Sequence, residues 1–355
     1  MPVADPSLHA RHLVVGPPGH GVVMHATRLA AADEDLRAAT VVVPASASGE
    51  TPPGLDAAVP EGGTVLLHVT DRLFGASPEE AAGVIRGLAD RATLVLSLHD
   101  VPQAAEGADW YARRRQAYAD IALTATRLVV ASESEADMLA ACLSPADRPV
   151  VARRTRVIPL PVERREPAVG PPETRQGRDG RGVVELGILG FLYPGKGVED
   201  AIDIAAALSA PDRLVTVTNH GATAEGHAGH AESLARYAAA AGVGFRVTGY
   251  LSDADLHAAV LAADVPLAPH RHISASGSLN TWIESGRRPL VRRSPYVTEL
   301  ERRLPGVLTP VDDLTTAVAA ALADPGSTWA ADGRAIGPSW STAAAAHVTV
   351  LHEIS

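Results

Sequence analysis

The amino-acid sequence predicts an α/β protein built from two doubly wound domains. Short β-branched runs alternate with alanine-rich helical stretches along both halves of the chain, and a segment rich in proline, glycine and arginine breaks that alternation once, at 164–182. The 355 residues are enough for two domains of ordinary size, each with its own core.

In the first half, 1–163, the strands expected are Leu13 to Val15, Thr40 to Val43, Val65 to His68, Leu94 to Leu98 and Leu128 to Ala131. Each runs into glycine, proline or polar residues and then a helical pattern, an order that predicts βαβ units in a mostly parallel sheet. Pro167, Gly170, Pro171, Pro172, Gly177 and Gly180 lie among charges with no apolar periodicity, so 164–182 reads as an interdomain linker. The alternation restarts in 183–335. Strands are expected at Val183 to Leu189, Leu214 to Thr218, Phe245 to Thr248 and Val265 to Ala268, with helices over 198–208, 231–241 and 253–262.

In such sheets ligands bind beyond the carboxyl ends of the strands. The residues best suited to chemistry stand there. In the first half they are Gly16-Pro-Pro-Gly-His-Gly21, His68-Val-Thr-Asp71, His99-Asp100 and the helix start Ser132-Glu133; in the second, Gly190 to Gly197, Asn219-His220-Gly221 and Pro269 to Ser278. If the halves face each other, all of these meet at one central cleft. Lys196 is the only lysine, every other fixed cation being arginine, which points to a place where a compact ammonium is wanted rather than a planar fork. It lies in the turn Tyr193-Pro-Gly-Lys-Gly197, where an exposed side chain is expected. Gly190 to Gly197 also spells Gly-x4-Gly-Lys-Gly, yet glycine at 197 cannot hold the magnesium of a triphosphatase loop.

A formal net charge of −10 argues against a general nucleic-acid binder. The single cysteine, Cys142, excludes an internal disulfide and any cysteine-rich zinc site, fits a reducing compartment, and within Ala140-Ala-Cys-Leu143 reads as core. No stretch reaches the ~20 apolar residues that span a bilayer, and the N-terminus lacks a charged-then-apolar signal, so a soluble cytoplasmic protein is expected.

From Val183 onward the chain resembles the donor domain of the GT-B glycosyltransferases, most closely the retaining family 4 enzymes. Gly187-Ile-Leu-Gly190 with Lys196-Gly197 is similar to the family's first strand and lysine-glycine turn, and Val247-Thr-Gly-Tyr-Leu-Ser-Asp-Ala-Asp-Leu256 to its glycine turn and following helix. Ala262-Ala-Asp-Val-Pro-Leu-Ala-Pro269 resembles the strand leading into the donor site. Pro338-Ser-Trp-Ser341 with His347 to Ile354 resembles the final helix, here 336–355, that returns to the first domain. The first half agrees more loosely, through its glycine loop and the Ser132-Glu133 helix start.

The resemblance implies two Rossmann-like domains facing a cleft. It implies a metal-independent, retaining glycosyltransferase of hexosyltransferase type, using a nucleoside diphosphate sugar as substrate with no cofactor. The acceptor is a small molecule, a glycan or a lipid-linked sugar. It assigns Gly190, Lys196, Arg271, Ser276, Gly277, Ser278 and Glu284 to the donor, Gly19, His20, Gly21, His68 and Asp71 to the acceptor, and His99, Asp100 and Lys196 to catalysis. Ser278 is expected to cap the helix holding Trp282, and Gly277 to let backbone approach phosphate. Three departures stand against the pattern. Phe191 takes the place of the usual arginine, for which Arg271 or Arg292 would substitute. Ser276 takes the place of the first of two glutamates. A second register puts Trp282 rather than Glu284 at the ribose position. They leave a non-catalytic nucleotide-sugar binder and a nucleotide-sugar epimerase as alternatives.

No metal site is expected. His220, His227 and His230 are irregularly spaced, and Ser252 with Asp253 reads as helix cap and first-turn charge rather than as part of a carboxylate pair with Asp255. Trp110-Tyr-Ala-Arg-Arg-Arg-Gln-Ala-Tyr118 reads as a solvated helix face, with peripheral membrane contact the alternative.

Overall fold

A computed structural model describes residues 10–44, 51–164, 182–224, 226–330 and 336–354. Its contacts divide the chain into two units, one formed by residues up to Pro161 together with those from Pro338, the other by Val162–Gly337. Most of the expected linker, 165–181, lies outside the described residues.

The first unit runs β1 (Ala10–Val15), α1 (Gly21–Ala31), α2 (Glu34–Ala38), β2 (Thr40–Val43), α3 (Leu55–Ala58), β3 (Thr64–Val69), α4 (Pro78–Ala89), β4 (Thr93–Leu98), α5 (Ala108–Thr124), β5 (Arg127–Val130), α6 (Glu133–Cys142), α7 (Arg148–Arg154) and β6 (Thr155–Val157). Its strands are all parallel, in the order β2-β1-β3-β4-β5-β6. Because side chains alternate across a strand, Leu67, Val69, Leu94, Leu96 and Leu98 face one core. Leu66, Val95 and Val129 face another, completed by Ala343, Ala344, Val350 and Leu351 of the C-terminal helix, Trp340–His352. His12 pairs in register with Leu66, and His68 follows two residues on, so both histidines lie on that second face.

The second unit runs β7 (Val183–Leu189), α8 (Val198–Leu208), β8 (Leu214–His220), α9 (Ala228–Ala240), β9 (Phe245–Val247), α10 (Asp253–Ala262), β10 (Val265–Ala268), α11 (Gly277–Glu284), β11 (Leu290–Arg292), α12 (Pro295–Arg303), β12 (Thr309–Val311) and α13 (Leu314–Ala323). Its strand order is β12-β11-β10-β7-β8-β9, again parallel throughout. The bounds of β2, β7, β10, α8 and α10 coincide with those expected. Three strands were not expected: β6, β11 and β12 have three residues each, too few to show a period. Helix starts follow local chemistry, since Ser77, Ser132, Ser252 and Ser294 each accept the N–H three residues on at 3.0–3.2 Å. Cys142 is buried, its thiol pushed up to about 11 by burial, in keeping with a core residue. No helix among the described residues is long and apolar enough to cross a membrane.

The arginine cluster of α5 departs from the solvated face expected of it. Arg114 and Tyr118, one turn apart, are both buried. The Arg114 guanidinium donates to Asp71 Oδ2 at 3.0 Å, Glu106 Oε2 at 2.7 Å and Asp100 Oδ2 at 3.0 Å, and the Tyr118 hydroxyl donates to the His99 carbonyl at 3.1 Å. One inward face of α5 therefore ties down the loops after β3 and β4. Arg113 stays outside, bidentate to Glu79 at 2.8 Å and stacked over Trp110. Arg114→Met leaves Asp71 buried and unpaired, and is expected to destabilise the first unit by about 3–5 kcal/mol. Arg113→Ala, breaking an exposed, solvent-screened pair, should cost far less. Denaturant unfolding of both variants checks this, and equal costs would show that the interior network carries no special weight.

Candidate functional site

In the second unit β7 ends at Leu189 and runs into Gly190, whose φ of 93° only glycine adopts without strain. The chain then loops to Lys196 and enters α8 through Gly197, where any Cβ would overlap the Pro269 carbonyl oxygen. This packing folds Lys196 inward. Only 2% of the residue is exposed, against the exposed turn expected, and its ammonium donates to the Leu189 carbonyl at 2.5 Å. A Cβ at Gly190 would lie 3.1 Å from Lys196 Nζ and 3.3 Å from Ser278 Cβ, so these three residues meet. No carboxylate is paired with Lys196 among the described residues, and burial alone brings its pKa down from 10.5 to about 7.

Beside it α11 begins. Its cap is Ser276, whose Oγ accepts from Leu279 N at 3.1 Å, and not Ser278; Ser278 sits one step inside the helix, with its hydroxyl 3.0 Å from that of Ser276. A Cβ at Gly277 would meet nothing within 4 Å, so only an incoming ligand could need glycine there. Arg271 and Arg292 do not take up the role of a second cation beside Lys196. Arg271 Nη2 lies 2.7 Å and Arg292 Nη2 2.6 Å from the Asp200 carboxylate, which is held below the usual carboxylate range by Arg271 first and by Arg292. Glu284 is buried at the far end of α11, roughly 12 Å of helix rise from Ser276. Trp282 is packed with Leu189, Val260 and Ala263. Of the donor residues expected, Gly190, Lys196, Ser276 and Ser278 are brought together, with Gly277 among them; the Arg271 backbone N–H donates to the Gly195 carbonyl at 3.0 Å while its guanidinium turns to Asp200, and Glu284 lies at the other end of α11.

The first unit gathers histidines. His68 Nδ1 and His99 Nε2 are 3.0 Å apart at the ends of β3 and β4. His25 of α1 stacks edge-on at 5.7 Å from His68 and 5.3 Å from His99, His12 lies 5.2 Å and His347 5.9 Å from His68, and Trp340 lies 5.3 Å from His25, all between ring centroids. Burial lowers every one of them. His12 and His99 are held at about 3 and His347 at about 4, while His25 and His68 also fall well below the ordinary value, so all five are neutral near pH 7. Sequence reasoning found His68 and His99 as strand-end residues but missed His12, His25 and His347, which lie within a strand and two helices. The available signal was a histidine on the inward face of β1, where an aliphatic residue is ordinary.

The other acceptor-side expectations divide. His20 caps α1, its Nδ1 accepting from Val22 N at 3.3 Å. Gly19 and Gly21 flank it, exposed, with open space where a Cβ would go. Asp71 is buried, its carboxylate paired with the Arg114 guanidinium at 3.0 Å. Asp100 shares Arg114 but keeps an exposed carboxylate, and at φ 56° it is the non-glycine residue with positive φ among the described residues, a strain that strand ends near function often hold.

No protein-family model matches the chain, and no curated protein does. Solved structures do. The HepE protein of Anabaena in complex with UDP-glucose is similar with a TM-score of 0.66 at 16% identity, over 97% of this chain and 97% of its own. The N-terminal domain of a Candida albicans trehalose-6-phosphate phosphatase gives 0.61 at 10% identity, over 99% and 95%. A trehalose-6-phosphate synthase studied for glycosyl transfer with retention gives 0.54 at 12% identity, over 84% and 72%. The chain has the GT-B fold. What these proteins share with it is backbone architecture, so the GT-B reaction has to be argued from residues.

Two outcomes follow from the buried groups. Between pH 7 and 10.5 the unfolded chain carries the Lys196 proton and the folded chain does not, so wild-type stability gains from Lys196 as pH rises through that window. Lys196→Met should raise ligand-free stability at pH 7 by about 1–3 kcal/mol and lose that pH dependence, as read by denaturant unfolding. A variant no more stable than wild type would mean the ammonium is not desolvated. For the histidines the sign is the same in a lower window: stability is full above pH 6.5 and is lost as pH falls toward 3, because only the unfolded chain takes up protons. His12→Asn should flatten the decline of stability between pH 6.5 and 4 by about 1.4 kcal/mol per pH unit, and an unchanged slope would show that His12 protonates freely in the native state.

Proposed function

We propose that this chain is a glycosyltransferase that moves a sugar from a nucleoside diphosphate sugar to a small-molecule, glycan or lipid-linked acceptor, with retention of configuration and without a metal in the transfer step. The observation that carries this reading is the buried, carboxylate-free ammonium of Lys196 beside the first turn of α11. A diphosphate leaving group gains negative charge as the sugar departs. Helix geometry leaves the N–H groups of Gly277 and Ser278 for a ligand, since the Ser276 side chain serves the next donor, and the end of the helix dipole adds positive potential. One preorganised cation and two N–H donors stabilise that charge without a divalent ion. The UDP-glucose held by HepE supports the donor class, and the retaining transfer studied in trehalose-6-phosphate synthase supports the stereochemistry. His99, at the end of β4 and neutral near pH 7, is the residue we assign to orienting the sugar or its acceptor. The buried reduced Cys142 supports a reducing, cytoplasmic setting.

A second reading, nucleotide-sugar binding without transfer, draws on the commitment of Arg271 and Arg292 to Asp200 and on serine at 276. Turnover across a panel of nucleotide sugars separates the two: hydrolysis or transfer supports the enzyme, whereas binding alone supports the second reading.

Three measurements bear on the first reading. Lys196→Gln should lose a charge-assisted hydrogen bond worth roughly 1.5–3 kcal/mol, about one to two decades of UDP or GDP affinity by calorimetry, with Lys196→Arg recovering part of it; unchanged affinity would remove Lys196 from the donor site. EDTA should leave turnover mostly intact, and complete loss with recovery by manganese would reverse the metal assignment. His99→Ala should lower turnover far more than nucleotide affinity. Normal turnover in a well-folded variant would make His99 structural.

A further inference from the structure

We propose that the first unit carries a metal site made by one imidazole nitrogen each of His25, His68 and His99, which takes zinc or a similar borderline divalent ion. One ligand atom from each of the three lies within 4.8 Å of the others. Zinc bound by imidazole at about 2.0–2.1 Å in a tetrahedral site sets its ligands roughly 3.3 Å apart. His68 Nδ1 and His99 Nε2 stand 3.0 Å apart, sharing a proton that a metal ion would displace, and His25 has to close in on them. The three side chains come from different elements, α1, β3 and the end of β4, as a site built by tertiary packing requires.

The hydrogen-bond inventory of the cluster points the same way. Thr40 Oγ1 gives its own proton to the Leu36 carbonyl and lies 2.9 Å from His12 Nδ1, so that nitrogen is the donor and His12 Nε2 is a lone pair. His347 Nδ1 lies 2.8 Å from the Ala343 carbonyl, which only accepts, so His347 Nε2 is a lone pair as well. Both of these atoms and His68 Nε2 are buried with no hydrogen-bond partner among the described residues. Two of the five imidazoles thus turn lone pairs, and not N–H groups, into the cluster. A divalent cation is one group that such a volume can accept.

All-imidazole ligation selects zinc, nickel or copper over magnesium or calcium, which require oxygen. His25 and His99 also line, with Ser97 and His347, a cavity of about 10 Å³, the scale of one water molecule, which suits the open fourth position of a three-ligand site. The site does not rest on the transferase reading. Its occupancy engages His99, so zinc is expected to slow transfer, whereas removal of metal by EDTA is not.

The test uses the full chain, stripped with EDTA and desalted. Zinc titration by calorimetry should show one tight equivalent, cobalt(II) should give the visible absorption of a tetrahedral site, and zinc should raise the unfolding midpoint of the wild type. Losing an outer-shell partner of a metal already costs about 10–100-fold, so His25→Gln should weaken zinc at least about 100-fold, while His227→Gln/His230→Gln leaves it unchanged. Imidazole NMR shifts in the wild type read the same site without a variant, and should move for His25, His68 and His99. Zinc bound equally well by His25→Gln, shifts confined to other histidines, or no tight equivalent at all would overturn the proposal, and none of these outcomes bears on whether sugar transfer occurs.

Discussion

The constraint on which the second unit turns is the burial of one ammonium with no anion beside it among the described residues. Lys196 is brought inside because the backbone around it is packed too closely for side chains: Gly197 lies against the Pro269 carbonyl and Gly221 against Gly190. Asn219, at the end of β8, donates to the Gly190 carbonyl at 3.1 Å and fastens the two loops together. The same contacts that desolvate the cation hold it still beside α11. A charge kept out of water and left uncompensated raises the free energy of the empty protein, and an incoming anion recovers that cost as binding energy.

The first unit handles buried polarity in two other ways. Arg114 is surrounded by Asp71, Asp100 and Glu106, so its burial is compensated from within and its role is to hold loops in place. The histidines are kept neutral, and neutrality leaves nitrogen lone pairs in the interior with few donors to meet them. The distinction separates structural from functional burial. Where every polar atom has a partner in the chain, as around Arg114, nothing is left for a ligand. Lys196 has a carbonyl and no carboxylate beside it among the described residues, and several of the imidazole nitrogens have no partner there.

Strand ends, helix starts and the parallel order of both sheets were legible because they depend on residues near one another in sequence. Val183–Leu189 is a mostly apolar stretch, interrupted by Glu185 and closed by Gly190, and Ser252 caps α10 with a side chain three residues from the N–H it accepts. The candidate donor residues Gly190, Lys196 and Ser278 were found for the same reason, each marked by a turn or a helix start. Their environment was not legible. A Pro-Gly-Lys-Gly turn looks exposed in isolation, and whether it is buried depends on Pro269 and Gly221, which are distant in the chain.

What the sequence by itself determined is the alternation of strands and helices, the two-unit α/β class and the short segments that carry chemistry, all set by local periodicity and turn preference. Only the tertiary structure decided which charges are paired. Arg271 and Arg292 turn to Asp200, a residue some 70 to 90 positions away, and Arg114 turns to Asp71 rather than to solvent. It also decided that His12, His25, His68, His99 and His347 share one volume. Burial and pairing are sums over neighbours contributed by the whole fold, and no window of sequence contains them.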